Sequence, residues 1–237
     1  MRRSISIIIP AYNEEKRLPN TLRLIRQYLD NSRWEFSEIV VVDDGSRDAT
    51  QAVAKSERVR LLANPGNRGK GYAVRHGVLA ASGEWTLVSD ADLSTPIEEV
   101  EKLWCAAERE QAQVAFGSRA VDRSLVGVHQ PLFREISGRS FNLVMRIVTG
   151  LPFRDTQCGF KLFESHSARK IFSRQTLERF GFDVEVLYIA CHLGYRCLEV
   201  PVRWDDVAGT KVSLLGGFGA FLDPLKVRWN GLKGKYR

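Results

Sequence analysis

The sequence predicts an α/β fold: a mostly parallel, Rossmann-like sheet with helices on both faces and a less regular C-terminal third. Three observations carry this. Short, near-continuous apolar runs, suited to strands buried on both faces, alternate with segments of helical periodicity. Polar, charged and glycine residues gather just after those runs, at the strand ends where ligands bind in such sheets. No internal repeat or low-complexity linker divides the 237 residues, so a single domain over 1–237 is the simplest organisation.

Ser4 to Ile9 is a strongly β-branched first strand, stopped by Pro10. Met1-Arg2-Arg3 before it resembles the opening of a signal peptide, but the run then lasts only six residues, which fits a strand and not a targeting segment. After Asn13-Glu14-Glu15, the spacing of Leu18, Leu22, Ile25 and Leu29 predicts a helix. Glu38 to Asp43 is a second buried strand, and Ser46 or Asp48 can cap the helix that follows. Val59–Ala63 is a third strand, Gly69–Ala81 a third helix and Trp85–Ser89 a fourth strand. Pro96 suits the first turn of a helix reaching about Gln111, with Glu98, Glu99 and Glu101 complementing its N-terminal dipole. Val114–Gly117 is a fifth strand. Beyond Arg119 the pattern loosens. Val121–Pro131 reads as a loop, Leu132–Gly150 as a basic amphipathic stretch, Phe182–Leu193 as a helix and Cys197–Trp204 as a strand. The tail from Gly216 mixes aromatic and basic residues, as an interfacial segment does.

Composition narrows the classes. With 44% hydrophobic residues the chain can build a core and is not a disordered protein. Four scattered cysteines form no Cys-x-x-Cys pair and four histidines show no zinc-type spacing, which favours buried thiols in a reducing compartment over a disulfide framework. No stretch approaches the roughly 18 apolar residues of a membrane span. A formal charge of +7 implies an acidic partner, whether nucleic acid, anionic lipid or phosphorylated substrate.

The predicted strand ends carry Tyr12-Asn13-Glu14, Asp43-Asp44, Asn64 to Gly71, Asp90-x-Asp92 and Gly117-Ser118-Arg119. Two carboxylates at the end of a buried strand can hold Mg²⁺ or Mn²⁺ while leaving coordination positions for phosphates; Asp pairs also cap helices and fill loops. Asn67-Arg-Gly-Lys-Gly71 matches neither a Walker loop nor a dinucleotide fingerprint. Its glycines either form a turn or open a helix N-terminus to a pyrophosphate, with Lys70 as counter-charge. Tyr12 and Glu14 can stack a base and bind a ribose hydroxyl, and Asp43-Asp44 can accept from a base N–H or cap a helix. Arg119, Arg134 and Arg139 form either an anion site or a solvated basic face. No nucleic-acid motif accompanies the basic surface, and the acidic strand ends would repel phosphates without a metal.

As an ordered set, Ile-Ile-Ile-Pro-Ala-Tyr-Asn-Glu14, Val-Val-Val-Asp-Asp-Gly-Ser46, Asn67 to Gly71, Asp90-Ala-Asp92 and Gly-Ser-Arg119 resemble family 2, inverting GT-A glycosyltransferases. Arg154 to Phe163, Phe182 to Ala190, Val202-x-Trp204 and Gly209-Thr-Lys211 resemble the dolichyl-phosphate β-glucosyltransferase branch, so that nearly the whole chain is covered. The resemblance implies transfer of glucose from UDP-glucose to a dolichyl or polyprenyl monophosphate with inversion. It implies a donor half over 1–119 and an acceptor and membrane-facing half over 120–237. Pro10, Tyr12 and Glu14 would hold the nucleoside, and Asp44 with Asp43 the uracil. Lys70 and Asp90 would meet the diphosphate, and Asp90 and Asp92 the metal, Mg²⁺ or Mn²⁺. Arg119, Arg134 and Arg139 would lie by the acceptor phosphate, with Asp92, Arg119 and Asp183 as catalytic candidates; for Asp183 a helix cap is the competing role. Related mannosyltransferases carry Gln where this chain has Ser94, which argues against GDP-mannose and leaves a third metal ligand open. Eukaryotic members usually have an N-terminal anchor; without one, attachment is expected to be peripheral, at the cytoplasmic face of an anionic membrane. The alternatives are the same fold with another donor or a soluble glycan acceptor, and a non-catalytic nucleotide-sugar or nucleic-acid-binding protein.

Overall fold

A computed structural model describes residues 3–128, 142–207 and 217–237, the side chains of 217–221 excepted. Strands β1 (Ser4–Ala11), β2 (Phe36–Asp43), β3 (Arg60–Ala63), β4 (Trp85–Val88) and β5 (Val114–Ser118) alternate with helices α1 (Leu18–Asp30), α2 (Thr50–Ser56), α3 (Lys70–Ala80) and α4 (Val100–Glu110). Next come β6 (Val126–Val128), a helix α5 over 142–149, β7 (Lys161–Glu164), α6 (Ser165–Arg174), α7 (Phe182–His192), β8 (Cys197–Pro201), β9 (Trp204–Asp205) and α8 (Gly217–Leu232). The main sheet has the order β3-β2-β1-β4-β7-β5-β8. Every pairing in it is parallel except the two made by β7.

The side chains of the central strands divide the core in two. Ile8, Val40, Val42, Val88 and Phe116 pack with Ala73 and Val74 of α3, Ile171 and Phe172 of α6 and Leu187 of α7. Ile7, Ile9, Val41, Leu87 and Ala115 pack on the other face with Leu22 and Ile25 of α1 and Leu103 and Ala107 of α4. This is the period-two alternation of a strand covered on both sides. Helix α7 is buried from Phe182 through Ala190; its two buried carboxylates are partnered, Asp183 by Lys161 and Glu185 by Thr176 N, Leu177 N and the Tyr236 hydroxyl, as buried charges must be.

Four departures from the sequence reading have physical causes. Strand β1 runs through Pro10 to Ala11. Ile8 O accepts from Ser89 N (3.0 Å) and Ala11 O from Asp44 N (2.8 Å), so by alternation Pro10 faces the β4 side. There the β4 pairing has ended at Val88, and the missing N–H costs no ladder bond. The predicted strand 197–204 divides into β8 and β9, because β9 leaves the main sheet to pair with β6. Strand β6 lies inside the segment read as the loop Val121–Pro131. Strand β7 and helix α6 carry weak local signals: β7 is four residues with a charge at each end, and α6 is capped by Glu164, whose carboxylate accepts from His166 N and Ser167 N, where Ser, Thr, Asp or Asn is the usual cap.

The reversal of β7 brings a lysine to the ligand-binding edge of the sheet. A strand running against its neighbours begins where they end, so its first residue, Lys161, lies opposite Val88 at the C-terminal edge of β4 and opposite Phe116 on β5.

Candidate active site

The loops after β1 and β2 are fastened to each other. Asn13 N donates to Ser46 Oγ (2.9 Å), Arg47 N to Asn13 Oδ1 (2.8 Å) and Glu14 N to Thr50 Oγ1 (2.8 Å). These bonds hold Pro10, Tyr12 and Glu14, all half-buried, at the sheet edge. Asp43 is fully buried and accepts from Gln51 Nε2 at 2.7 Å and from Ser46 N at 3.3 Å. Asp44, also buried, accepts from Asn64 Nδ2 (2.8 Å), Arg68 N (3.1 Å) and Gly69 N (2.7 Å). Both carboxylates thus organise the surrounding loops.

The Asn67–Gly71 segment owes its glycines to close approach. At Gly69, φ is +115°, and a Cβ would lie 2.6 Å from Glu178 O; one on Gly71 would lie 2.6 Å from Leu177 O. Neither space admits a side chain. Tyr72 N donates to Glu178 O at 3.0 Å and Arg68 pairs with the Glu178 carboxylate, so the 177–178 backbone clamps the start of α3. Lys70, the first residue of that helix, extends to Asp90 with Nζ 2.6 Å from Oδ1.

The Asp90–Asp92 turn is pinned on three sides. Thr21 Oγ1 of α1 donates to Ala91 O at 2.6 Å. Ser94 donates both N and Oγ to Asp92 Oδ1, each at 3.0 Å; its hydroxyl orients the Asp92 carboxylate from within the turn. Gly159 lies directly against the Asp90 carboxylate, where an added Cβ would be 2.7 Å from Cγ.

Two further ion pairs complete the edge. Lys161 pairs with Asp183, both buried, and its Nζ also donates to Cys158 O at 2.5 Å. Asp183 is the second residue of α7 and pairs across to β7. Arg119 grips the buried Asp155 in a fork, Nε to Oδ2 at 2.7 Å and Nη2 to Oδ1 at 2.9 Å, with Trp204 5.3 Å from its guanidinium. Glu199 on β8 fixes the segment that supplies Asp155, accepting from Arg154 N, Asp155 N and Ser118 Oγ. Burial works against the charge on Asp90, but Lys70, Lys161 and Arg119 outweigh it, and its pKa falls below the usual carboxylate value. Asp155 is lowered in the same way, chiefly by Arg119 acting against burial. Burial with the negative field of Asp90 pushes Asp183 up, against the pull of Lys161 and Lys70. Lys70 and Arg119 are raised by their carboxylate neighbours despite burial.

The edge therefore gathers three cations and four carboxylates: Lys70, Lys161 and Arg119 with Asp90, Asp92, Asp155 and Asp183. Sequence reasoning missed Lys161, Asp155, Glu199 and Gly159. All four lie in or beside β7 and β8, and the signal available was the density of charge in Arg154–Lys161 beside buried aromatics. Arg134 and Arg139 lie outside the described residues, as does Gly209-Thr-Lys211. The oxygen-only donors of Asp90 and Asp92 suit a hard cation, and two carboxylates leave room for phosphate oxygens in the manner usual for Mg²⁺. Among the described residues no group of three His, Cys, Asp or Glu is arranged around a metal position, so a divalent ion here would depend on substrate phosphates to complete its shell.

Comparison with known proteins gives three findings. The family model "Glycosyl transferase family 2" matches residues 6–172. The chain is 40% identical over 225 residues to a dolichyl-phosphate β-glucosyltransferase of Drosophila melanogaster, covering 88% of this chain and 69% of that one. It is 37% identical to the Homo sapiens protein of that name (89% and 70% covered) and 34% identical to that of Saccharomyces cerevisiae (98% and 76%). Among solved structures, glucosyl-3-phosphoglycerate synthase of Mycobacterium tuberculosis in complex with UDP superposes with a TM-score of 0.69 at 19% identity, over 96% of this chain and 80% of that one. The same enzyme with Mn²⁺ and UDP-glucose gives 0.67 at 18%, over 98% and 79%. At this identity the likeness establishes the GT-A fold.

Proposed function

Because the chain belongs to glycosyltransferase family 2 and is a glycosyltransferase, we propose that it transfers glucose from UDP-glucose to a dolichyl or polyprenyl monophosphate, with inversion at the anomeric carbon. The observation that carries this reading is its 34–40% identity to dolichyl-phosphate β-glucosyltransferases across most of its length. The charged edge is chemically suited to the reaction. A phosphomonoester is already ionised at neutral pH, so its oxygen needs little help from a general base. That oxygen attacks the anomeric carbon, the bond from that carbon to the donor diphosphate breaks, and UDP departs with the electron pair. The protein's part is to bring two anions together and to stabilise the charge that grows on the leaving group.

In this reading Pro10, Tyr12 and Glu14 line the nucleoside side. Asp43 and Asp44 shape its floor, and their oxygens are engaged by the loops, so uracil recognition would pass through the frame they hold. Lys70 faces the diphosphate from the N-terminus of α3. Asp90 and Asp92 would hold Mg²⁺ or Mn²⁺, which when bound neutralises the diphosphate. Arg119 would face the acceptor phosphate from its Asp155 clamp, together with Arg134 and Arg139, and Asp183 would orient the sugar. Residues 1–119 serve the donor and 120–237 the acceptor and an anionic membrane surface. The four cysteines are free, although Cys105 and Cys191 are exposed where the sequence suggests buried thiols, and free thiols suit a cytoplasmic face. Among the described residues no helix is long and apolar enough to cross a membrane; in this reading the attachment is peripheral.

The test is incubation with labelled UDP-glucose, Mg²⁺ or Mn²⁺ and a short-chain polyprenyl phosphate. Lipid-extractable label is expected. Label arriving from GDP-mannose and not from UDP-glucose would overturn the donor assignment.

A further inference from the structure

Helix α8 has two apolar faces. One, through Val227 and Gly231, packs inward, with Gly231 against the Tyr188 hydroxyl of α7. The other carries Leu222, Leu225, Trp229 and Leu232, which are 54–69% exposed. At about 100° per residue these four fall within an arc of about 80°, nearly opposite the packed face. Cations border the arc: Lys226 and Lys233 along one edge, Arg228 along the other. Lys233 Nζ lies 4.7 Å from the centroid of the Trp229 ring. From Pro224 to the C-terminus the cations are Lys226, Arg228, Lys233, Lys235 and Arg237, and there is no acidic residue. The last acid before this stretch, Asp223, packs against Gly181, where an added Cβ would lie 2.6 Å from its own Cβ, and accepts from Lys226 Nζ at 3.4 Å, which leaves Arg228, Lys233, Lys235 and Arg237 in excess.

We infer that this face of α8 is a docking surface for an anionic lipid bilayer, with the apolar stripe in the headgroup–acyl boundary and the lysines and arginine at the phosphates. A stripe of Leu and Trp edged by long basic side chains is what an in-plane interfacial helix requires. Charge decides for lipid over a second copy of this chain: a two-fold contact along the stripe would bring like-charged edges together. Helix α5 adds a second exposed apolar patch in Leu143, Val144 and Ile147; its buried Met145 shares a core layer with Val227 and Tyr236. Gly181, which Asp223 of α8 touches, directly precedes α7, whose second residue is Asp183 of the charged edge. Helix α8 therefore links the docking face to the start of α7, at the end of the charged edge that carries Asp183.

The choice of lipid rests on the proposed polyprenyl acceptor, but the test is read without turnover. The full chain is floated with vesicles of phosphatidylcholine containing one-third phosphatidylglycerol, and with phosphatidylcholine alone. Wild type is expected to float with the anionic vesicles. Leu225→Ser/Trp229→Ser/Leu232→Ser should lower the partition coefficient about 100-fold, and Lys226→Gln/Lys233→Gln about 20-fold. Both variants should keep the wild-type near-ultraviolet circular dichroism and turnover of a short, water-soluble acceptor. Failure of wild type to float, or equal flotation of the triple variant, overturns the inference. So does a wild-type dimer in sedimentation that the triple variant converts to monomer without any vesicle binding. Vesicle binding with no glucose transfer would leave the surface standing and overturn the enzymatic reading instead.

Discussion

Replacing Lys161 with methionine removes the cation that the buried Asp183 faces. Both side chains are below one-tenth exposed, and Asp183 is already pushed up by burial and by Asp90. Without Lys161 that carboxyl must either stay charged and unpaired or take up a proton, and Cys158 O loses its donor as well. Breaking one side of a buried pair costs about 3–5 kcal/mol, and an orphaned carbonyl about 1–3 kcal/mol. Because Lys70 remains near Asp183, the lower end, about 3–4 kcal/mol, is the expected loss for Lys161→Met. The double variant Lys161→Met/Asp183→Asn removes both charges and should recover at least about 2 kcal/mol of it. The assay is urea unfolding of the two single variants and the double, followed by far-ultraviolet circular dichroism. A Lys161→Met loss below about 1 kcal/mol, the range of exposed pairs, or a double variant no more stable than the single, would refute the reasoning.

Other outcomes rest on the same geometry. Gly159→Ala forces the Asp90 carboxylate to move, and because displacement of about 1 Å can cost about 100-fold in rate, kcat should fall by that order while the melting temperature changes little; unchanged kcat would remove Gly159 from the site. Tyr236, fully buried, donates to Glu185 Oε1 at 2.8 Å, and Tyr236→Phe should cost about 1–2 kcal/mol in denaturant unfolding. Asp155 ionises at a lower pH folded than unfolded, so its stabilisation is complete above the unfolded carboxylate pKa of about 4 and is lost as pH falls through the lower folded value. Melting scans on the acid side should show wild type losing stability more steeply than Asp155→Asn. Parallel curves would contradict the assignment.

The donor half was legible because its strands are runs of β-branched residues and its functional groups sit at their ends. Ile7 to Ile9 and Val40 to Val42 announce themselves, and so do the carboxylates that follow. The reversed strand was not legible. Lys-Leu-Phe-Glu is too short for periodicity, and nothing local says that Lys161 will be threaded between β4 and β5 to meet Asp183, 22 residues later. The same holds for roles. Asp44 reads as a ligand group, but spacing does not show that three loop donors also meet its carboxylate. Arg119 reads as part of an anion site, but spacing does not show that Asp155 is the residue that orients its guanidinium. Ser94, read as the place of an open metal ligand, turns both its donors onto Asp92. Spacing identifies residue types at an edge; tertiary partners decide which ones face a substrate.

The central claim is that Asp90 and Asp92 form the metal-assisted diphosphate site, and UDP binding tests it without turnover. Calorimetry with and without Mn²⁺ should show UDP affinity rising with the metal for wild type, and that dependence should vanish in Asp92→Asn while the circular dichroism stays native. UDP affinity indifferent to Mn²⁺, or the same metal dependence in the variant, would contradict the account.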